Sequence, residues 1–134
     1  MTIATRELFE RYHACWADRD PDRIIELHTA DSVFHLHSGQ EPARGRAAIR
    51  AAAAGTFALV PDLTFHLISL RVGDDFWVVQ WQLTGTSATG NRVCVDLADF
   101  VLVEGGAVKE KHSYVDGVAM QAALASQPVA PSQR

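Results

Sequence analysis

From Val93 to Asp116 the chain reads VCVDLADFVLVEGGAVKEKHSYVD, which sets ionisable side chains in strand-like apolar company. Asp99 keeps alternating phase with Val93, Val95, Leu97, Val101 and Val103, so a strand here turns a carboxylate toward an apolar side. A carboxylic acid in such surroundings is paired, protonated or engaged in acid/base chemistry. After Gly105-Gly106 a second strand puts His112, Tyr114 and Asp116 in phase with Val108, and Lys109, Lys111 and Ser113 on the other face. Proton abstraction beside a carbonyl needs a base within hydrogen-bond reach and a donor for the enolate oxygen. Asp99, His112, Asp116 and, from the N-terminal segment, Tyr12 are the candidates for these roles. Each has a structural alternative: Asp99 bonding Tyr12 as a satisfied buried pair, Asp116 capping the chain after the last strand, and Tyr12 serving as core.

The elements that must position these groups follow from periodicity. Leu8, Phe9, Tyr12, Cys15 and Trp16 recur at three and four, the mark of an amphipathic helix over Thr5 to Asp18. Asp20-Pro21 is a helix start, and Ile24, Ile25, Leu27 and His28 suggest a short second helix. Val33 to His37 alternates as a short strand with Phe34 and Leu36 inward, followed by a loop over Ser38 to Arg44 and an alanine-rich helix from Arg46 to about Phe57. From Pro61-Asp62 to Asp116 the chain reads as β-hairpins, with a phase change at Leu67-Ile68 that predicts a bulge. Trp77 and Trp81 share one strand face, and with Trp16, Phe34, Leu36 and Tyr114 they are candidate walls of a ligand pocket. Phe76, Val78, Gln80 and Gln82 form the opposite face, apolar enough to suit a dimer contact. Helices followed by a strand meander predict an α+β domain: a cone-shaped, curved antiparallel sheet wrapped around helices, over residues 1–125, with 126–134 as a frayed tail.

Composition narrows the partners. A 134-residue chain, 48% hydrophobic, builds one core. A formal charge of −4 without a basic run argues against nucleic acid and anionic membranes. The absence of a long apolar run or a leader-like start predicts a cytoplasmic protein. Cys15 and Cys94 read as buried thiols. His35 and His37 share a strand face with Glu41 after a short loop, a metal-like pattern that a third ligand from His13, His66 or His112 would complete. Surface or helix-facing histidines are the better reading, and neither a metal nor a cofactor is expected.

The segments WADRDPDRIIELHTAD from Trp16, GRAAIR from Gly45, PDLTF from Pro61 and EGGAVKEKHSYVD from Glu104 together resemble the SnoaL-like polyketide cyclases and ketosteroid isomerases of the nuclear transport factor 2-like superfamily. The resemblance implies the α+β barrel, a homodimer through the exposed sheet face, and a small hydrophobic ligand in an apolar pocket. It implies that Tyr12 matches the isomerases' oxyanion tyrosine and Asp99 their partner acid, while Leu36 occupies the position of their proton-shuttling carboxylate. The cyclases use an aspartate in an aldol ring closure without metal or cofactor, and Asp116, with His112, matches their last-strand pattern. In the isomerase register Lys111, Ser113 and Val115 would face inward; the cost of burying Lys111 favours the opposite phase. The expected function is cofactor-free acid/base chemistry, cyclisation or isomerisation, on a hydrophobic carbonyl compound. A non-catalytic binding protein is the alternative, and an epoxide hydrolase a weaker one.

Overall fold

The computed structural model describes residues 3–125. In chain order the elements are α1 (Thr5–Ala17), α2 (Pro21–Glu26), β1 (His28–Leu36), β2 (Ala43–Arg44), α3 (Arg46–Leu59), β3 (Thr64–Val72), β4 (Phe76–Thr86), β5 (Arg92–Glu104), β6 (Ala107–Val115) and α4 (Gly117–Ala123). The proposed tail, 126–134, lies outside the described residues. No helix among the described residues is long and apolar enough to cross a membrane.

The apolar stripe of α1, Leu8, Phe9, Tyr12, Cys15 and Trp16, is buried against the sheet. Asp20 caps α2 by accepting from the Arg23 backbone N–H at 3.2 Å, with Pro21 in the first turn where its missing N–H costs nothing. This helix ends at Glu26, earlier than its apolar pattern suggests, and His28 instead opens β1 as a fully buried side chain. The helix α3 lays Ile49 and Ala53 into the core, and the alanines around them keep it close to its neighbours.

The six strands lie in the order β2-β1-β6-β5-β4-β3. All neighbours are antiparallel except β1 and β6, which run parallel. The sheet is therefore mixed where consecutive hairpins alone would make it antiparallel, because the first strand, reached before the helix α3, docks beside the last. The bulge expected in β3 is present, leaving Ile68 without a partner between Leu67↔Trp81 and Ser69↔Gln80. Gly105 and Gly106 have φ of +61° and +78°, the left-handed pair that a two-residue hairpin turn requires, and they set Glu104 opposite Ala107.

A second bulge follows that turn. Val103 pairs with Val108 but Leu102 pairs with Glu110, which leaves Lys109 as the extra residue in β6. Since side chains alternate along a strand, one extra residue exchanges the two faces for the rest of β6. Ser32 of β1 holds this point: its hydroxyl lies 3.0 Å from the Val108 carbonyl and 2.9 Å from that of Lys109. Carbonyls only accept, so Ser32 donates to them and accepts from Nδ1–H of His28 at 2.8 Å. The Nε2 lone pair of His28 then accepts from the Tyr12 hydroxyl, also at 2.8 Å. A buried chain of hydrogen bonds thus runs from α1 through β1 to the bulge. Cys15 is buried, whereas Cys94 is exposed because Val93 and Val95 take the inward positions of β5.

This network requires a neutral His28. Burial, with the positive charges of Lys111 and Arg46, lowers its pKa from 6.5 to about 3. The unfolded chain therefore binds a proton here at pH values where the folded chain does not, so stability falls as pH drops from 6.5 toward 3, by about 1.4 kcal/mol per unit from this residue. His28→Gln should flatten the decline of the thermal midpoint between neutral and mildly acidic pH, without abolishing it, since the imidazole of His13 is also shifted down by burial. A midpoint profile unchanged by the substitution would rule out His28 as a source of the decline.

Candidate functional site

Two clefts meet inside the sheet, and Trp16, Phe65, Asp99 and Lys111 line both. The larger encloses about 800 Å³, including the part continuous with solvent, and lies among the inward faces of β1, β5 and β6 and the ends of α3 and α4. The smaller is walled by aromatic rings of α1 and β4, Trp77 and Trp81 among them. Trp16, Trp77, Trp81, Phe34 and Leu36 all line these spaces, as their sequence phase suggests.

Three expected members do not. The β6 bulge turns His112 and Tyr114 to the outer face of the sheet, where Tyr114 is 52% exposed. Asp116, also exposed, caps α4 by accepting from the Ala119 backbone N–H at 3.1 Å, the structural alternative to a catalytic role. In their place the cavity receives Lys111 and Ser113, each about 5% exposed (6% and 5%). The isomerase-like register therefore holds, against the cost of burying a lysine.

The neighbours of Lys111 explain how that cost is met. Asp99 on the adjacent strand pairs with Ser113, so Lys111 sits diagonally across from it, and their charges attract. The Lys111 ammonium lies 4.1 Å from the centroid of Trp16 and 5.1 Å from those of Tyr12 and Phe34, a three-sided aromatic enclosure. Burial nevertheless pushes its pKa down, with Asp99 opposing the shift. Lys111 Nζ makes no hydrogen bond with a described residue, whereas the buried indole N–H of Trp16 lies near the Tyr12 hydroxyl without reaching good hydrogen-bond geometry. The Lys111 ammonium is thus left for a ligand.

Asp99 accepts from Ser113 Oγ at 2.5 Å and from Trp81 Nε1 at 3.2 Å. Tyr12 does not bond it. The tyrosine borders the smaller cleft, but its hydroxyl is committed to His28, and burial raises its pKa above the ordinary value. His13 lies at the same cleft, stacked on Trp81 with 4.6 Å between centroids. Lys111 and Ser113 escape a reading based on polarity, because the bulge that turns them inward is held by Ser32 and His28, 76 and 80 residues away in sequence.

A mixed six-stranded sheet with helices packed on it, enclosing an apolar cavity, is the α+β fold shared with solved nuclear transport factor 2-like proteins. Within that class the chain belongs to the SnoaL-like domain family, whose model matches residues 9–111. Similar solved structures include a candidate SnoaL-like polyketide cyclase from Jannaschia sp. CCS1, at 21% identity and TM-score 0.80, covering 96% of this chain and 98% of that one. A protein with a ketosteroid isomerase-like fold from Catenulispora acidiphila DSM 44928, in complex with trimethylamine, is 18% identical with TM-score 0.81 over 95% and 99% of the two chains. TerC, co-crystallised with polyporic acid, is 18% identical with TM-score 0.80 over 90% and 97%. At these identities the likeness establishes the fold. A search of curated proteins finds no match.

The buried pair predicts a coupled response to substitution. Asp99 and Lys111 attract each other without a direct ion pair, so Asp99→Asn keeps the shape but removes that through-space counter-charge, a loss of about 1–2 kcal/mol in urea unfolding. Adding Lys111→Met should recover at least half of it, because the uncompensated charge is then gone. Strictly additive losses would show that the two groups do not interact.

Proposed function

We propose that the cavity binds a small, largely apolar molecule bearing a carbonyl oxygen and performs acid/base chemistry on it, of the cyclisation or isomerisation type, with Asp99 and Lys111 as the working pair. The observation that carries this reading is the burial of Lys111 beside Asp99 at the junction of the two clefts. A buried charge pair costs desolvation energy, and an apolar pair of the same size would hold the fold as well. Its location in a cavity gives it something to act on.

The step uses groups already in place. Asp99 takes a proton from the carbon beside the carbonyl, and the electron pair of that C–H bond moves onto the carbonyl oxygen. The Lys111 ammonium faces that oxygen and stabilises its charge in an environment with little competing water. A lowered pKa makes the ammonium the better proton donor to an enolate. Collapse of the enolate returns the pair to carbon, which either takes the proton back from Asp99 at a new position or attacks a second carbonyl to close a ring, the resulting alkoxide then taking that proton. Lys111 thus fills the role that the resemblance gives to Tyr12, and Asp99 that of the base for which Leu36 is no substitute.

One observation favours binding without turnover. Both carboxylate oxygens of Asp99 already accept a hydrogen bond, so part of their lone-pair capacity is engaged within the protein. The two readings separate in heavy water. Quenching of tryptophan fluorescence by polyporic acid and by a set of aryl ketones and 1,3-diketones reports binding, and NMR of the same ketones reports exchange of their α-protons. The wild type should speed exchange, and Asp99→Asn and Lys111→Met should each lose about a hundredfold or more, while Asp116→Ala exchanges normally. Quenching with no accelerated exchange would leave the binding reading.

The reading includes a homodimer through the outer sheet face, where Val78 and its cross-strand partner Phe100 are 38% and 41% exposed. Phe100→Glu should convert the dimer to monomer in light scattering. A wild-type chain that is monomeric at micromolar concentration would remove this part.

A further inference from the structure

The outer face of β1 and β6 carries a second group of chemically capable side chains. His35 and His37 alternate with Leu36, so they share the face opposite the cavity. β6 runs parallel beside them and, beyond its bulge, pairs His112 with His35. Three imidazoles from two neighbouring strands converge, with one ligating nitrogen from each lying within 4.8 Å of the other two. His37 Nε2 and His112 Nδ1 are 2.9 Å apart, and the His35 and His37 rings have centroids 3.7 Å apart. Zinc held tetrahedrally at about 2.0–2.1 Å from each nitrogen needs nitrogen pairs about 3.3 Å apart, and the 2.9 Å between His37 Nε2 and His112 Nδ1 is close to that spacing.

The partners of these rings fix which ring nitrogens carry protons. Glu110 lies 3.0 Å from His112 Nε2, which therefore carries the proton, and the Nδ1 lone pair is directed at His37. His35 Nε2 lies 3.2 Å from the carbonyl of Gln40, an acceptor only, which leaves Nδ1 of His35 without a proton. His37 donates its Nε2–H to that lone pair, so a cation taking His37 Nε2 shifts this proton to Nδ1 of the same ring. Tyr114 lies flat along His37, with centroids 4.2 Å apart and planes 7° apart, and fixes its ring orientation.

We infer that His35, His37 and His112 form a binding site for a divalent transition-metal ion of the zinc type, with one position not filled by a described side chain and Glu110 and Tyr114 as positioning residues. An all-imidazole donor set accepts zinc, cobalt, nickel or copper and gives magnesium or calcium no oxygen ligands to prefer. Three histidines plus an open position is also the donor count of a zinc centre that carries water. The site lies on the opposite side of the sheet from Asp99 and Lys111 and does not depend on the chemistry proposed there.

The test is titration of the full chain, carrying no polyhistidine tag, with zinc by calorimetry and with cobalt by visible absorption. Wild type should bind one zinc per chain with micromolar or tighter affinity, ignore magnesium, and give the intense visible band of four-coordinate cobalt. His35→Ala, His37→Ala and His112→Ala should each weaken zinc by more than tenfold, and Glu110→Gln by about tenfold. His66→Ala, a histidine elsewhere on the sheet, should change nothing. Circular dichroism of each variant checks that it is folded, and the cobalt band reads the site directly in the wild type. No saturable zinc binding at sub-millimolar concentration, or binding that survives His37→Ala and His112→Ala, would overturn the assignment.

Discussion

The extra residue at Lys109 governs which half of β6 faces inward. Without it, Val108 and the residues in step with it would point His112 and Tyr114 at the cavity and Lys111 at solvent, which is the cheaper arrangement by local polarity alone. The bulge reverses that order. Its cost is the burial of an ammonium group, offset by the charge of Asp99 and by three aromatic rings around Nζ. The bulge in turn depends on Ser32, whose hydroxyl satisfies both the Val108 and Lys109 carbonyls, and on His28 and Tyr12 behind it. A tyrosine, a histidine and a serine that contribute no group to the proposed chemistry therefore determine which groups do.

Most of the architecture is legible in the sequence because it rests on local signals. The stripe from Leu8 to Trp16, the Asp20-Pro21 start, the glycine pair at 105–106 and the phase slip at Leu67-Ile68 each act within a few residues, and each corresponds to a feature of the structure. The inward residues of β1, β4 and β5 also follow from simple alternation, which places Phe34, Trp77, Trp81 and Asp99 at the cavity. What escapes is set by contacts distant in sequence. His28 reads as the end of a helix until its two ring nitrogens are seen to join Tyr12 to Ser32. The parallel pairing of β1 with β6 likewise depends on chain return, which no periodicity encodes.

The polarity criterion fails at Lys111 for a definite reason. Charged residues are rarely buried unless paired, and the pairing partner was visible as Asp99, an acid among valines. Weighed separately, a buried acid and a buried lysine each look unfavourable; weighed together, each supplies the condition for the other. His112 and Lys111 differ in this respect. The histidine has an outward partner in Glu110, whereas the lysine, if turned outward, would leave Asp99 with only two neutral donors, Trp81 and Ser113.

Because alternate residues of one strand serve opposite faces, a single register choice in β6 determines two clusters of side chains at once. The inward set Lys111 and Ser113 completes the surroundings of Asp99, and the outward set His112 and Tyr114 completes those of His35 and His37. Shifting β6 by one residue would bring His112 toward the carboxylate and Lys111 toward the two imidazoles, where its charge would repel any metal cation. Neither constellation survives the exchange. The parallel neighbour β1 takes part in both, contributing Phe34 and Leu36 inward and the two histidines outward, so the β1–β6 pairing held by Ser32 is the common support of both faces.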